Sequence, residues 1–297
     1  MQNFLDPLVL ASIKDMPLVA KTVAQGFLHG RHNSVQRGTG IEFSQYRSYE
    51  PGDALNAIDW KLFARSDRYF VREAERESNI NIWLVMDASQ SMLQKSQQSA
   101  KGWHKFDYAK HLLATIGYIA QQQGDAFGLL GLSSDKLDFL PALTGHRQWQ
   151  KLLLKLEQMQ AGAVFPEPRL MLSHLAKMQS NSIIFVVSDF YQKNREITDF
   201  MEHLVGKSTE VVAIQLDCND ENTFPYKGLV RFEDQENQQH ILVSAQEVKA
   251  DYLKAREAFN QDLAQQLTNL NIQHIKTNID HPLDDTLRQF LAVRQTS

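Results

Sequence analysis

An α/β fold built on a doubly wound, mostly parallel sheet, with a small N-terminal region appended to it, is what this sequence predicts. Three observations carry that expectation. From about residue 79 onward, short β-rich apolar runs alternate with amphipathic helical stretches, the pattern of parallel strands covered by helices on both faces. The runs at 182–187 and 211–216 are strand-sized and apolar. Residues 1–78 lack that alternation and read as a separate helical and irregular region, so the boundaries expected are 1–78 and 79–297.

Taken in order, residues 1–28 suggest one or two helices carrying Leu8, Val9, Leu10, Ile13, Leu18, Val19 and Val23. An irregular segment follows, punctuated by Gly38, Gly40, Pro51 and Gly52, with alternating pieces at 41–46 and 69–74 that fit half-buried strands. A strand at 80–87 leads to a helix at about 105–122, where Leu112, Leu113, Ile116, Ile119 and Ala120 line one face. Gly124 and Asp125 end it. Strands at 126–133 and 137–141 come next, then helical patterns at 147–160 and 168–179 and the strand ending at Asp189. The remainder reads as a helix at 194–205, a strand at 210–217, an edge hairpin at 229–233 and 239–243, a long helix at 245–269, a short strand at 272–276 and a closing helix at 283–293.

Composition narrows the function. The 297 residues, 43% hydrophobic and 22% charged, belong to an ordinary globular chain, not a disordered one. No apolar stretch is long enough to span a bilayer, and the first residues lack the basic start and apolar core of a secretory signal. With one cysteine, Cys218, there is no internal disulfide and no cysteine-based zinc site, so a cytoplasmic protein is expected. A net charge of -4 argues against generic nucleic-acid binding.

The chemistry concentrates at Asp87-Ala88-Ser89-Gln90-Ser91, which places three oxygen donors within five residues at the end of a strand. Oxygen-only donors suit hard cations such as Mg²⁺ or Mn²⁺. In doubly wound sheets ligands collect beyond the carboxyl ends of the strands, where the strand order reverses. Asp189 ends the strand beginning near Ser182, so neighbouring strands would bring Asp87, Ser89, Ser91 and Asp189 to one crevice. The two acids supply charge, directly or through water, and the neutral serines leave the ion under-neutralised for an acidic partner to complete. Taken singly, each aspartate also fits an ordinary turn or helix cap.

Asp87-x-Ser89-x-Ser91 followed by Met92, with the later strand ending Ser188-Asp189-Phe190, resembles the metal-ion-dependent adhesion site of von Willebrand factor type A domains. Upstream, Gly38-x-Gly40-x-Glu42-Phe43, then Arg47-Ser48-Tyr49-Glu50-Pro51-Gly52-Asp53 and Ile58-Asp59-Trp60-Lys61-Leu62-Phe63-Ala64-Arg65, resembles the signature of the domain-of-unknown-function 58 family. The resemblance implies a von Willebrand factor A-like, Rossmann-type domain acting as a non-enzymatic, metal-dependent protein-binding module. It implies Mg²⁺, with Mn²⁺ or Ca²⁺ as alternatives, held by Asp87, Ser89, Ser91 and Asp189. It also implies a protein partner, a MoxR-type AAA+ ATPase or an acidic client, in chaperone-like assembly or maturation. Arg47, Asp53, Asp59 and Arg65 are the candidate partner-binding residues. Arginine forks there could meet carboxylates, although mixed charges at this density also describe a solvated, salt-bridged surface.

Two departures bear on the site. The adhesion site also takes a threonine from a later loop, and the matching stretch, Ala161-Gly162-Ala163-Val164-Phe165-Pro166, has no hydroxyl. Weak or absent metal binding is the expectation unless Thr144, in an earlier loop, takes its place. The upstream signature carries Asn56 where an arginine is usual. Other motifs fail on spacing. Gly206-Lys207-Ser208-Thr209 precedes a strand, where a phosphate-binding loop precedes a helix, and no G-x-S-x-G elbow surrounds Ser89. Residues 217–221 imitate a calcium loop but lack its turn glycine and read as a solvated strand-end loop. Tyr191 and Lys193 fall beside the crevice without an assigned role. Two alternatives remain open, a hydrolase or phosphatase using Asp87 and a scaffold whose metal site has degenerated.

Overall fold

The computed structural model describes residues 16–24, 46–48, 65, 70–72, 80–96, 102–133, 137–162, 166, 174–175, 178, 181–192, 195–206, 208–233 and 240–294. The chain divides into two compact units, His29–Asn79 by itself and Met1–Leu28 together with Ile80–Ser297. In the smaller unit, β1 (Tyr46–Ser48) pairs antiparallel with β2 (Phe70–Arg72) in the register Arg47 to Val71.

The larger unit is built on a six-stranded sheet. Its strands are β3 (Asn81–Asp87), β4 (Ala126–Leu132), β5 (Asp138–Leu143), β6 (Ser182–Ser188), β7 (Thr209–Asp217) and β10 (Gln273–Asn278). They lie in the order β10-β7-β6-β3-β4-β5, parallel throughout except for antiparallel β5 at one edge. Strand order reverses between β3 and β6, so the crevice expected of a doubly wound sheet opens at the carboxyl ends of these two strands.

Because side chains alternate across a strand, each apolar run feeds two cores. Leu84 and Met86 of β3, with Phe185 and Val187 of β6, face one layer. That layer is covered by a helix at 16–24, α1 (Lys105–Gln123), α2 (His146–Gln158) and α6 (Leu283–Arg294). Trp83 and Val85, with Ile184 and Val186, face the other, beneath α3 (Glu196–Leu204) and α5 (Ala245–Asn269). Burial on both faces is why these strands carry near-continuous apolar sequence. Gly128 of β4 is required by close approach, since a Cβ there would meet the Trp83 ring at 2.5 Å.

Two expectations need revision. Residues 16–24 do not belong to the appended region: Val19, Ala20 and Val23 are fully buried in the first core, and the segment falls in the larger unit. The hairpin β8 (Leu229–Glu233) and β9 (His240–Ser244) is not an edge of the main sheet but a separate two-stranded ribbon. The sheet edge beside β7 is taken by β10, whose alternation buries Ile275 and Thr277.

Candidate metal centre

β3 delivers Asp87 to the carboxyl end of the sheet, and the ladder runs one residue further, Ala88 N–H donating to Leu132 O at 3.0 Å. The chain then leaves the sheet in a turn of 3₁₀ helix at Gln90–Leu93, with Met92 N–H donating to Ser89 O at 3.2 Å. Ala88, Ser89 and Met92 are fully buried, which fixes the turn, and Ser91 is half-buried. Across the switch point, β6 ends at Ser188 and Asp189 follows. Phe190 takes a left-handed backbone (φ 61°) while its ring is buried in the second core. A bulky residue in that region is strained, and packing holds it there beside the site.

The side-chain oxygens of Ser89, Ser91 and Asp189 lie next to one another. Ser89 Oγ lies 3.0 Å from Ser91 Oγ, and Ser91 Oγ donates to Asp189 Oδ1 at 3.1 Å. Asp87 is placed differently. Its Oδ1 accepts from Ser89 N–H at 2.9 Å, and its Oδ2 accepts from Ser188 Oγ and from Gln192 Nε2, each at 2.6 Å. Both carboxylate oxygens thus hold the loop, and Asp87 contributes charge and rigidity more than a free coordinating atom. Burial first, then the adjacent Asp189 charge, pushes its carboxyl up to about 6, against the lowering bonds from Ser188 and Ser89.

Asp189 meets a full positive charge. Lys105, the first residue of α1, has a fully buried side chain whose Nζ lies 3.2 Å from Asp189 Oδ2 and 2.7 Å from Glu221 Oε1. Burial opposes its charge, but the two carboxylates outweigh that and hold the ammonium above its ordinary value. Glu221 lies in the short helix α4 (Asn219–Thr223), where its Oε2 accepts the backbone N–H of fully buried Cys218 at 2.9 Å. The Arg256 guanidinium follows, 3.7 Å from Glu221 Oε2 and 3.5 Å from Asp217 Oδ2. Residues 217–221 are therefore not a solvated loop. Asp217 and Glu221 are buried against the charges of Arg256 and Lys105, and buried Asp220 accepts from the Ser96 hydroxyl at 3.2 Å.

The structure thus joins Ser89, Ser91 and Asp189 directly and Asp87 through Ser89. The missing hydroxyl is not replaced by Thr144. That residue follows β5, and Leu143 pairs with Phe127 near the start of β4, so Thr144 lies at the opposite end of the sheet. The expected loop does reach the site, Gly162 N–H donating to Ala88 O at 2.6 Å. Lys193, Asp53 and Asp59 lie outside the described residues; Arg47 sits in β1, and Arg65 is exposed at a helical position. Lys105, Glu221, Gln192 and Ser188 are the site residues that motif reading missed. Ser188 was signalled by its place beside Asp189, whereas the two charged residues come from separate helices.

As a donor set the crest fits a hard cation. Two hydroxyls and one carboxylate oxygen form a contiguous oxygen-only line, and oxygen donors are what Mg²⁺, Mn²⁺ and Ca²⁺ take. Among the described residues no group of three or more His, Cys, Asp or Glu side chains is placed to hold a metal ion, so the serines are essential to this fit. No helix among them is long and apolar enough to cross a membrane.

The sequence has relatives among known proteins. The chain is 31% identical over 150 residues to the uncharacterized protein Rv1480 of Mycobacterium tuberculosis, covering 50% of this chain and 46% of that one. It is 25% identical over 195 residues to the uncharacterized protein YeaD of Bacillus subtilis, covering 64% and 43%. It thus spans less than half the length of these curated relatives. Among solved structures, BatB from Bacteroides thetaiotaomicron aligns over 73% of this chain and all 100% of its own, with a TM-score of 0.45 and 13% identity. The SpRpn10 VWA domain aligns over 71% and 94%, with a TM-score of 0.41 and 10% identity. The family model described as "Protein of unknown function DUF58" matches residues 45–266, well over half of the sequence, and the chain belongs to that family.

Proposed function

We propose that this chain is a non-enzymatic protein-binding module whose Ser89–Ser91–Asp189 crest takes a divalent cation, Mg²⁺ first, and through it an acidic side chain of a partner. The observation that supports this reading is the unbroken oxygen line of the two hydroxyls and Asp189 Oδ1. Ser89 and Ser91 bond each other and Ser91 bonds Asp189, and no histidine is among their described hydrogen-bond partners. Asp87 has both oxygens engaged by donors, which suits a rigid support and not an attacking group. A hard cation held there supplies a positive point for a partner carboxylate. Asp87 and Ser188 keep the loop in place. The resemblance adds the partner class, a MoxR-type AAA+ ATPase in chaperone-like assembly, and the single cysteine of the sequence supports a cytoplasmic setting.

Calorimetric titration with Mg²⁺, followed by co-precipitation of a MoxR-type ATPase in Mg²⁺ and then in chelator, tests it. Weak binding that Ser89→Ala reduces at least tenfold, with chelator-sensitive capture, is expected. Capture that is indifferent to chelator and to Ser89→Ala would favour a scaffold with a degenerate site. Turnover of phosphoesters that Asp87→Asn abolishes would instead establish a hydrolase.

A further inference from the structure

Six charges of alternating sign run from the crest into the molecule. Asp189 Oδ2 meets Lys105 Nζ at 3.2 Å, Lys105 meets Glu221 at 2.7 Å, and Glu221 meets Arg256 at 3.7 Å. Arg256 meets Asp217 at 3.5 Å, and Asp217 meets Lys276 at 3.2 Å. The first five are buried, and only Lys276, with its side chain 41% exposed, reaches solvent, where it and Asp217 line a cavity of about 320 Å³. Every interior carboxylate in this row is ion-paired with two cations, whereas Asp189 is ion-paired with Lys105 alone, bonds the Ser91 hydroxyl on its other oxygen and feels the Arg256 charge at longer range.

We infer that Lys105 is the resident counter-cation of the crest: by holding Asp189 Oδ2 it sets the affinity of the site for divalent ions and keeps it low until a partner carboxylate arrives. The inference rests on the proposed metal-dependent reading. Its logic is electrostatic. In a water-poor site, a unit positive charge a few ångströms from a bound ion costs that ion far more than it would in water. Asp189 can share its charge with the ammonium on one oxygen and a divalent ion on the other, but each weakens the hold of its rival. Lys105 cannot easily withdraw. Its side chain is fully buried, its Nζ is shared with Glu221, and it lies 5.1 Å from the Tyr191 ring centroid. Leaving would strand two buried carboxylates. Lys105 is thus a positioning residue that acts through Asp189, and an incoming acidic side chain restores the negative charge that the ammonium has taken.

The test is Mg²⁺ and Mn²⁺ titration of the whole chain, by calorimetry and by Mn²⁺ electron paramagnetic resonance, in wild type, Lys105→Met and the double variant Lys105→Met/Glu221→Gln. The double variant removes one charge of each sign and leaves no orphaned glutamate, so it keeps the measurement available if the single variant does not fold. A gain of tenfold or more in divalent affinity is expected in either variant, an effect that mere structural damage would not produce. Equal or weaker binding in the folded variants, with measurable binding in wild type, overturns the role of Lys105 and leaves the metal reading standing. Absence of divalent binding in all three overturns both.

Discussion

The two aspartates of the crest, although they terminate neighbouring strands, are held in opposite ways. Asp87 is surrounded by neutral donors, a backbone N–H, the Ser188 hydroxyl and the Gln192 amide, while Asp189 receives one hydroxyl, a backbone N–H and a whole ammonium. Dipoles can stabilise a buried carboxylate but cannot cancel its charge, so Asp87 retains a raised proton affinity. A fixed cation cancels the charge of Asp189 at the cost of a second buried ion. The first arrangement leaves a negative charge in reserve; the second has already spent part of it.

The largest effect that would break this contrast comes from Lys105→Met without divalent ions. Removing one partner of a buried ion pair leaves uncompensated charge, and a loss of roughly 3–5 kcal/mol in urea unfolding is expected. A loss below 1 kcal/mol would mean that Asp189 and Glu221 do not depend on it. Next comes Asp87→Asn. The carboxyl of Asp87 lies at about 6 in the folded chain against 3.8 ordinarily, so the fold binds its proton more tightly than the unfolded chain does. The stability linked to it is present below about pH 4 and lost as pH rises through about 6. Removing the charge should therefore stabilise the chelator-treated protein at pH 7, by at most about 3 kcal/mol, and the gain should vanish near pH 4. The Gln192 amide can turn to accept from the introduced amide, since its Oε1 is buried without a hydrogen-bond partner. A pH-independent difference between the two proteins would refute the raised carboxyl. The smallest effect belongs to Lys276→Ala, at the solvent end of the charge row. Its pair with Asp217 is screened, and Arg256 remains, so a change under about 1 kcal/mol that shrinks further in salt is expected in thermal unfolding.

How much of this was legible in sequence follows from how far apart the partners lie along the chain. Asp87, Ser89 and Ser91 occupy one turn, and Asp189 ends a strand whose apolar run could be read without ambiguity, so their meeting required only the strand order. Lys105 opens an amphipathic helix and reads as a surface lysine. Nothing nearby in sequence shows that α1 starts against residues 116 positions later. Glu221 sat in a polar segment that resembled a solvated loop, and only Lys105 and Arg256, brought by α1 and α5, explain its burial. The hairpin at 229–244 was legible as a hairpin because its alternation is local. Its separation from the main sheet was not, because that depends on β10 taking the edge.

The lone cysteine beside this charged layer has a practical consequence. Cys218 is fully buried, its thiol is pushed up to about 12 chiefly by burial, and its backbone N–H donates to Glu221. A thiol so placed is invisible to alkylating reagents while the layer stays closed. Its labelling rate therefore clocks the opening of the end of β7, one site per molecule and no engineered probe, and reports how often the interior charges meet water.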